Sequence, residues 1–169
     1  MLDPVMIAAS GDPLLRDDAV ATLRELLLPR AMLLTPNLPE AARLLDEPQA
    51  VTRADMERQA HALRALGAGA VLVKGGHGTE ADSADVLVTA AGTEWFTAPR
   101  HATQNTHGTG CTLSSAIAAG LAKGLALPQA VAEAKVWLTA AIVAADGLAI
   151  GGGHGPVHHF HALWPAADD

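Results

Sequence analysis

The sequence is poor in cysteine and aromatic residues, and it contains no long apolar run. One cysteine among 169 residues excludes an internal disulfide bond. No stretch is long and apolar enough to cross a membrane, and the first residues lack the basic region and apolar stretch of an export signal. These absences predict a cytoplasmic protein without a membrane partner.

Positive charge is also scarce. The chain has 11 Lys and Arg against 18 Asp and Glu, a net charge of -7, and no basic stripe. Proteins whose main partner is nucleic acid usually carry a basic patch, so the composition argues against that partner and favours small molecules. It does not disfavour a nucleotide, because phosphate sites depend on local N–H groups and one or two cations.

Short apolar runs alternate with segments of helical periodicity, which predicts an α/β protein of parallel strands and crossover helices. The predicted strands are residues 2–6, 31–35 and 70–74, followed by a hairpin of 85–89 and 93–98 that turns at Ala91 and Gly92. Because no repeat or linker divides residues 1–169, we expect a single domain, or part of one.

The predicted helices fill the gaps between these strands. They are residues 17–28, with Val20, Leu23, Leu26 and Leu27 on one face; 52–66, with a Thr N-cap and a stop at Gly67; 111–123, ended by Gly124; and 128–145, with a proline in the first turn. Such helices are expected to cover the faces of the sheet.

Residues 105–116 read Asn-Thr-His-Gly-Thr-Gly-Cys-Thr-Leu-Ser-Ser-Ala and place the only cysteine where a glycine-rich loop turns into a helix. The first N–H groups of a helix have no intrahelical partner and lie at the positive end of its dipole. Gly108, Thr109 and Gly110 can therefore surround a phosphate, with Cys111 facing the reacting group. The alternative is a loop before a core helix, with Cys111 as a small buried residue.

Polar residues follow the three predicted parallel strands, where ligands collect in open α/β sheets. Asp3 precedes a proline, which also suits a simple turn. Asn37 and Glu40 have the spacing of a capping box, although a carboxylate there can instead hold Mg²⁺ through water. Lys74, before Gly-Gly-His-Gly at 75–78, offers an ammonium to phosphate oxygens or simply reaches solvent.

Five segments together resemble one family. Segments 2–6, 34–41, 72–77, 106–114 and 153–156 read Leu-Asp-Pro-Val-Met, Leu-Thr-Pro-Asn-Leu-Pro-Glu-Ala, Leu-Val-Lys-Gly-Gly-His, Thr-His-Gly-Thr-Gly-Cys-Thr-Leu-Ser and Gly-His-Gly-Pro. In this order they resemble the hydroxymethylpyrimidine/phosphomethylpyrimidine kinases of thiamine biosynthesis. The cysteine after Gly-Thr-Gly is the most specific element, because sugar kinases of the same ribokinase-like fold carry aspartate there.

The resemblance implies a ribokinase-like three-layer sandwich with a mostly parallel sheet. It also implies ATP-dependent, Mg²⁺-supported phosphorylation of 4-amino-5-hydroxymethyl-2-methylpyrimidine and its monophosphate, and it suggests a homodimer. By the same resemblance, Cys111 is the catalytic base beside the substrate, and Gly108, Thr109 and Gly110 form the anion hole.

Further roles follow from the resemblance for residues near the strand ends. Lys74, with Thr109, binds the nucleotide phosphates, while Asn37 and Glu40 organise phosphate and Mg²⁺. Asp3 and Glu40 support the metal through water, and Val5 contacts the pyrimidine. No Walker-type phosphate loop offers another nucleotide site.

The resemblance departs at the N-terminus. Full-length members begin well before the Asp-Pro-Val-Met strand, and the earlier part carries most of the pyrimidine pocket. The sequence therefore predicts a partial domain that lacks the N-terminal part of the fold, as a fragment or a truncated reading frame. An apolar strand at the very start of the chain agrees with this expectation, because it needs a neighbour.

Two other functions are compatible with the same motifs, and one further site is possible. The chain can be a pyridoxal-type vitamin kinase of the same fold, or a non-catalytic fragment that binds nucleotide. The C-terminal histidines, His154, His158, His159 and His161, have a spacing that can bind a transition metal. Because no acidic or cysteine partner is near them in the sequence, we interpret them as surface residues.

Overall fold

The computed structural model describes residues 1–6, 14–76 and 82–164 and forms two compact units, Met1–Thr97 and Ala98–Asp169. The first unit contains α1 (Asp17–Thr22), α2 (Leu38–Leu45), α3 (Arg53–Ala65), β1 (Val71–Lys74) and β2 (Asp82–Thr89). The second contains α4 (Thr109–Ala122) and α5 (Leu127–Ala144), while β3 (Gly92–Pro99) crosses the boundary. His77 and Gly78, from the predicted glycine-rich segment, lie outside the described residues.

The three named strands form one sheet in the order β1, β2, β3. Strand β1 is antiparallel to β2, with Lys74 opposite Asp85. All four residues of β1 are buried, as expected of an interior strand with apolar side chains on both faces. The third predicted strand and the hairpin are therefore confirmed, and the hairpin strands extend beyond the predicted ends. The turn lies at Ala90 and Ala91, one residue before the predicted Ala91 and Gly92, because β3 already begins at Gly92.

The first two predicted strands are shorter than expected. Residues 2–6 and 31–35 contribute only single parallel bridges, in which Leu2 pairs with Leu34 and Leu34 pairs with Val71. Pro4 and Pro36 have no N–H to donate, so each interrupts a ladder soon after it begins. The predicted parallel direction is correct, but the predicted strand lengths are wrong.

The helix predicted at residues 17–28 is interrupted. After α1, residues Leu23–Leu27 form a π-helical turn and Leu28–Arg30 a 3₁₀ turn. The Leu28 N–H donates to the carbonyl of Leu23, five residues back, so Leu28 replaces Leu27 on the buried face. The prediction that Leu26 and Leu27 face the core is wrong, because both are exposed.

The other predicted helices are confirmed with small changes at their ends. Helix α3 begins after Thr52, whose hydroxyl accepts from the Asp55 N–H while the Asp55 carboxylate accepts from the Thr52 N–H. Helices α4 and α5 begin at Thr109 and Leu127, slightly earlier than predicted. The capping box predicted at residues 37 and 40 opens α2.

Each unit has an apolar interior. In the first unit the helices and strands share one core, which includes Leu34, Leu44, Leu63, Val71, Val73, Val86 and Val88. In the second unit α4 and α5 bury a facing row that includes Leu113, Ile117, Val131, Leu138 and Ala141. Within the described residues, no helix is both long and apolar enough to span a bilayer.

Candidate functional site

Asp3 and Lys74 form an ion pair in the first unit. One oxygen of Asp3, Oδ1, accepts from Lys74 Nζ at 2.8 Å and from Thr35 Oγ1 at 2.9 Å. Only 8% of Lys74 is exposed, so its ammonium depends on this partner for much of its stabilisation. Two of the predicted phosphate and metal residues therefore lie in direct contact, and Thr35 is a third partner that the sequence did not indicate.

The capping box of α2 lies beside this pair. Asn37 Oδ1 accepts from the Glu40 N–H at 2.9 Å, and the Asn37 N–H donates to Glu40 Oε2 at 2.8 Å. Asn37 also forms a parallel bridge with Lys74. Local structure thus accounts for Asn37 and Glu40, and it also brings both next to the lysine.

Glu40 is 4% exposed, and this burial raises the pKa of its carboxyl. The Asp3 carboxylate raises that pKa further, whereas the Asn37 N–H and the Lys74 ammonium oppose the shift. Two carboxylates and one ammonium therefore act on one another electrostatically. Val5 belongs to the same N-terminal segment, where it is partly exposed and its N–H donates to the Asp3 carbonyl.

A buried aspartate holds the chain after Lys74. Asp85 is 3% exposed, and its Oδ1 accepts from the Gly75 N–H at 2.9 Å. Gly75 has no room for a side chain, because a Cβ there would lie 2.0 Å from the Ala84 carbonyl oxygen. The sequence did not indicate Asp85 as a site residue, although a carboxylate directly before the apolar run of residues 86–88 was a usable signal.

Helix α4 in the second unit begins without a side-chain cap. Its N-cap residue, Gly108, has φ +82°, a left-handed conformation that favours glycine. The Thr109 N–H donates to the Thr106 carbonyl at 3.3 Å, so it is not an open donor of the anion hole predicted at residues 108–110. Among the described residues, none accepts from the N–H groups of Gly110 and Cys111, which leaves these two donors available to an anion.

Cys111 is the third residue of α4 and is exposed. Its exposure argues against the alternative in which this cysteine is a small buried core residue. It lines a cleft of about 810 Å³ within the second unit, together with residues of α4 and α5 and with His159. The predicted helix start at Cys111 is corrected by two residues, so Thr109 and Gly110 belong to the first helical turn.

The segment before Gly108 is fastened at several points. The His107 N–H donates to the Gly155 carbonyl at 3.1 Å, and His107 bridges Pro156. A Cβ at position 155 would lie 1.9 Å from Asn105 Oδ1, so the two chain segments touch closely there. The Gly-His-Gly-Pro motif thus packs against the glycine-rich loop.

The C-terminal histidines contact aromatic and polar neighbours. His159 Nε2 lies 3.0 Å from Thr112 Oγ1, and the rings of His161 and Trp137 lie 5.3 Å apart. No group of three or more His, Cys, Asp and Glu side chains within the described ranges is arranged to hold a metal ion.

The donor chemistry near Lys74 nevertheless suits Mg²⁺. This ion prefers oxygen ligands and commonly takes one or two carboxylates plus waters and substrate phosphates. The Asp3 and Glu40 carboxylates supply that chemistry, and both already have direct protein partners. A contact through water fits them better than a dedicated protein cage.

The phosphomethylpyrimidine kinase family model matches residues 1–158 of the chain. The chain belongs to the phosphomethylpyrimidine kinase family. The hydroxymethylpyrimidine/phosphomethylpyrimidine kinase of Escherichia coli strain K12 is 57% identical over 164 residues, which are 97% of this chain and 62% of that protein. The chain therefore spans less than two thirds of the length of that relative.

Solved structures agree with the family and with a ribokinase-like fold. An ADP complex of Bacillus subtilis pyridoxal kinase superposes with a TM-score of 0.85 at 35% identity, over 95% of this chain and 60% of that one. Staphylococcus aureus pyridoxal kinase with AMP-PCP gives a TM-score of 0.86 at 30% identity, over 95% and 57%. This member of the phosphomethylpyrimidine kinase family is thus also similar in structure to pyridoxal kinases.

Proposed function

We propose that this chain takes part in the ATP-dependent phosphorylation of 4-amino-5-hydroxymethyl-2-methylpyrimidine and its monophosphate in thiamine biosynthesis. One observation carries the proposal: α4 begins with left-handed Gly108, leaves two N–H donors open, and presents exposed Cys111 in its first turn. This arrangement suits an anion next to a side chain that can take a proton.

In the proposed reaction, the N–H groups of Gly110 and Cys111 bind phosphate oxygens of ATP. The substrate hydroxyl oxygen forms a bond to the γ-phosphorus, and the bond from phosphorus to the ADP oxygen breaks. The hydroxyl proton passes to Cys111 Sγ, which must enter the reaction as the thiolate and leaves it as the thiol. Because the transition state is loose, the proton leaves late and Cys111 need not be a strong base. The aimed N–H groups stabilise the charge that develops on the phosphoryl oxygens.

The residues of the first unit are assigned to the nucleotide phosphates. The Lys74 ammonium has three protons, so it can keep Asp3 as a partner and also donate to a phosphate oxygen. Asp3 and Glu40 would hold Mg²⁺ through water, and that ion would neutralise phosphate charge. Asp85 fixes the backbone after the lysine through the Gly75 N–H, and Asn37, which bridges Lys74, would help to organise phosphate and Mg²⁺. Val5 is the proposed pyrimidine contact.

The test is ATP consumption by the chain with hydroxymethylpyrimidine and, separately, with its monophosphate. Turnover that falls in the Cys111→Ala variant supports the proposal. The same assay on a chimera that adds the preceding part of the Escherichia coli relative tests whether the acceptor site needs that part. If neither form turns over while both bind ATP, a non-catalytic nucleotide-binding role replaces the kinase role.

The pyridoxal kinase structures favour a second candidate, phosphorylation of pyridoxal. Competition between pyridoxal and hydroxymethylpyrimidine distinguishes the two, because the preferred acceptor suppresses phosphorylation of the other. Homodimer formation and a cytoplasmic location stay predictions, and sedimentation velocity and cell fractionation test them.

A further inference from the structure

Three polar groups from the loop before α4 converge on one carboxylate. Asp146, in the 3₁₀ turn Ala145–Gly147 that follows α5, accepts from His101 Nε2 at 2.7 Å and from the Thr103 hydroxyl. Asn105 Nδ2 donates to the Ala145 carbonyl at 2.9 Å and lies 3.4 Å from Asp146 Oδ1. The three donors stand at alternate positions, 101, 103 and 105, so the Asp146 carboxylate contacts the loop at each of them.

Further hydrogen bonds connect this anchor to the first turn of α4. The Thr103 hydroxyl, which donates to Asp146, also accepts from the Asn105 N–H at 3.1 Å. The Thr106 N–H donates to the Gln104 carbonyl at 3.0 Å, and the Thr106 carbonyl accepts from Thr109. Hydrogen bonds and adjacent peptide units therefore connect Asp146 to Thr109, the residue that follows Gly108.

The loop has a second attachment on the C-terminal segment, where the His107 N–H donates to the Gly155 carbonyl. The same segment also holds the loop through the bridge of His107 with Pro156 and through His154 Nδ1, which lies 3.2 Å from the Gln104 carbonyl oxygen. These contacts do not involve His101 or Thr103. Without Asp146, the part of the loop before His107 would lose the acceptor shared by His101 and Thr103. Gly108 supplies no side chain to restrain the turn, so its left-handed conformation depends on how the flanking residues are held.

We propose that Asp146 is a positioning residue for the anion-binding turn, because it holds residues 101–105 so that the N–H groups of Gly110 and Cys111 stay aimed at a phosphate. This inference rests on the proposed function for the identity of the anion. In this inference Asp146 acts through its contacts with His101, Thr103 and Asn105 and not on the nucleotide or the acceptor.

The variant Asp146→Ala tests the inference by two measurements on the whole chain. Hydrogen exchange of the amides at 105–109, without ligand, should accelerate about tenfold, and the Kd for ADP should rise about tenfold, as for one lost hydrogen bond to a charged group. Asp146→Asn should recover part of both effects, because its amide oxygen still accepts from Thr103. A smaller acceleration is expected for His101→Ala, which serves if Asp146→Ala does not fold.

The matched control is Asp55→Ala, which also removes an exposed carboxylate bonded to a threonine hydroxyl, at the start of α3. It should leave both readouts unchanged. Unchanged exchange at 105–109 in Asp146→Ala overturns the inference, and so does accelerated exchange with an unchanged Kd for ADP. If the unsubstituted chain binds no ADP, the proposed function fails, and the exchange data alone decide whether Asp146 holds the loop.

Discussion

Helix α2 closes its own N-terminus with side chains, whereas helix α4 leaves its N-terminus open. At α2, Asn37 and Glu40 exchange two hydrogen bonds and Glu40 is buried. At α4, Gly108 provides no cap and Cys111 is exposed. Both starts come from segments that resemble the same enzyme family, yet only one has unused backbone donors.

Because of this difference, substitutions at the two helix starts should affect different properties of the protein. Side-chain caps contribute to folding, so substitutions at α2 and its neighbours should act first on the free energy of unfolding. An open helix start forgoes that contribution and can bind an anion instead. Substitutions at α4 should therefore act first on nucleotide binding and rate.

The largest expected effect is at the open start. Cys111→Ala should lower the phosphorylation rate by about 10²- to 10⁴-fold, because the substrate proton loses its acceptor. Its free energy of unfolding should change by less than about 0.5 kcal/mol, since the side chain is exposed. Val136→Ala, at a position on α5 that is 73% exposed, is the control and should change neither quantity. A full rate with Cys111→Ala would remove the proposed base.

The next effect belongs to the buried ion pair beside the closed start. Lys74→Met should lower the free energy of unfolding by about 3 kcal/mol, because Asp3 is left without its charged partner. Denaturant titration measures the loss. The double variant Asp3→Asn with Lys74→Met should recover much of it. Losses that simply add would show that the pair is not coupled.

Two glycines that flank α4 allow the cost of backbone strain to be measured apart from any loss of anion binding. Gly108 and Gly124 both have left-handed φ, +82° and +87°, at opposite ends of the helix. Alanine at either position should cost roughly 1–2 kcal/mol of stability, because a Cβ disfavours this conformation. Only Gly108→Ala should also weaken ADP binding, measured by calorimetry. Equal binding by both variants would contradict the open-start site.

The smallest effect on stability is expected for Glu40→Gln, since glutamine also fits a capping box. Near pH 5 the substitution should change the free energy of unfolding by less than about 0.5 kcal/mol. The wild-type carboxyl has a pKa raised above its ordinary 4.5. Its contribution to stability is complete below pH 4.5 and is lost as the pH rises through the folded pKa. The variant should therefore gain stability relative to wild type with rising pH.

The same variant tests the proposed metal role. If Glu40 only caps α2, the Mg²⁺ concentration needed for half-maximal activity stays the same in Glu40→Gln. If its charge supports the ion, that concentration increases while the helix remains folded. Circular dichroism of both proteins at the same pH checks that the fold is unchanged.

Local patterns predicted much of this structure. The three-residue spacing of Asn37 and Glu40 specifies a capping box by itself, and the glycine after residue 66 marks a helix end. The shortened strands could also have been predicted, because Pro4 and Pro36 remove ladder donors. The π-helical turn at Leu23–Leu27 could not, since packing rather than periodicity chooses between Leu27 and Leu28 as the buried residue.

Only part of the candidate site was predicted, because sequence patterns indicate local features and not contacts between distant residues. Glycines, the cysteine and strand-end charges stand in short motifs, so the sequence indicated them. Thr35 and Asp146 act through partners more than 30 residues away, and no local pattern announces such contacts. Asp85 is intermediate, because its strand was predicted while its hydrogen bond to Gly75 depends on the register with β1.

The close contact of Gly155 with Asn105 also constrains the evolution of the sequence at these two positions. A Cβ at position 155 would lie 1.9 Å from Asn105 Oδ1. Most substitutions at 155 are therefore tolerated only after a smaller residue has replaced Asn105. Two positions fifty residues apart are thus expected to vary in a fixed order. Among diverging descendants of this sequence, a non-glycine at 155 should accompany an altered residue at 105.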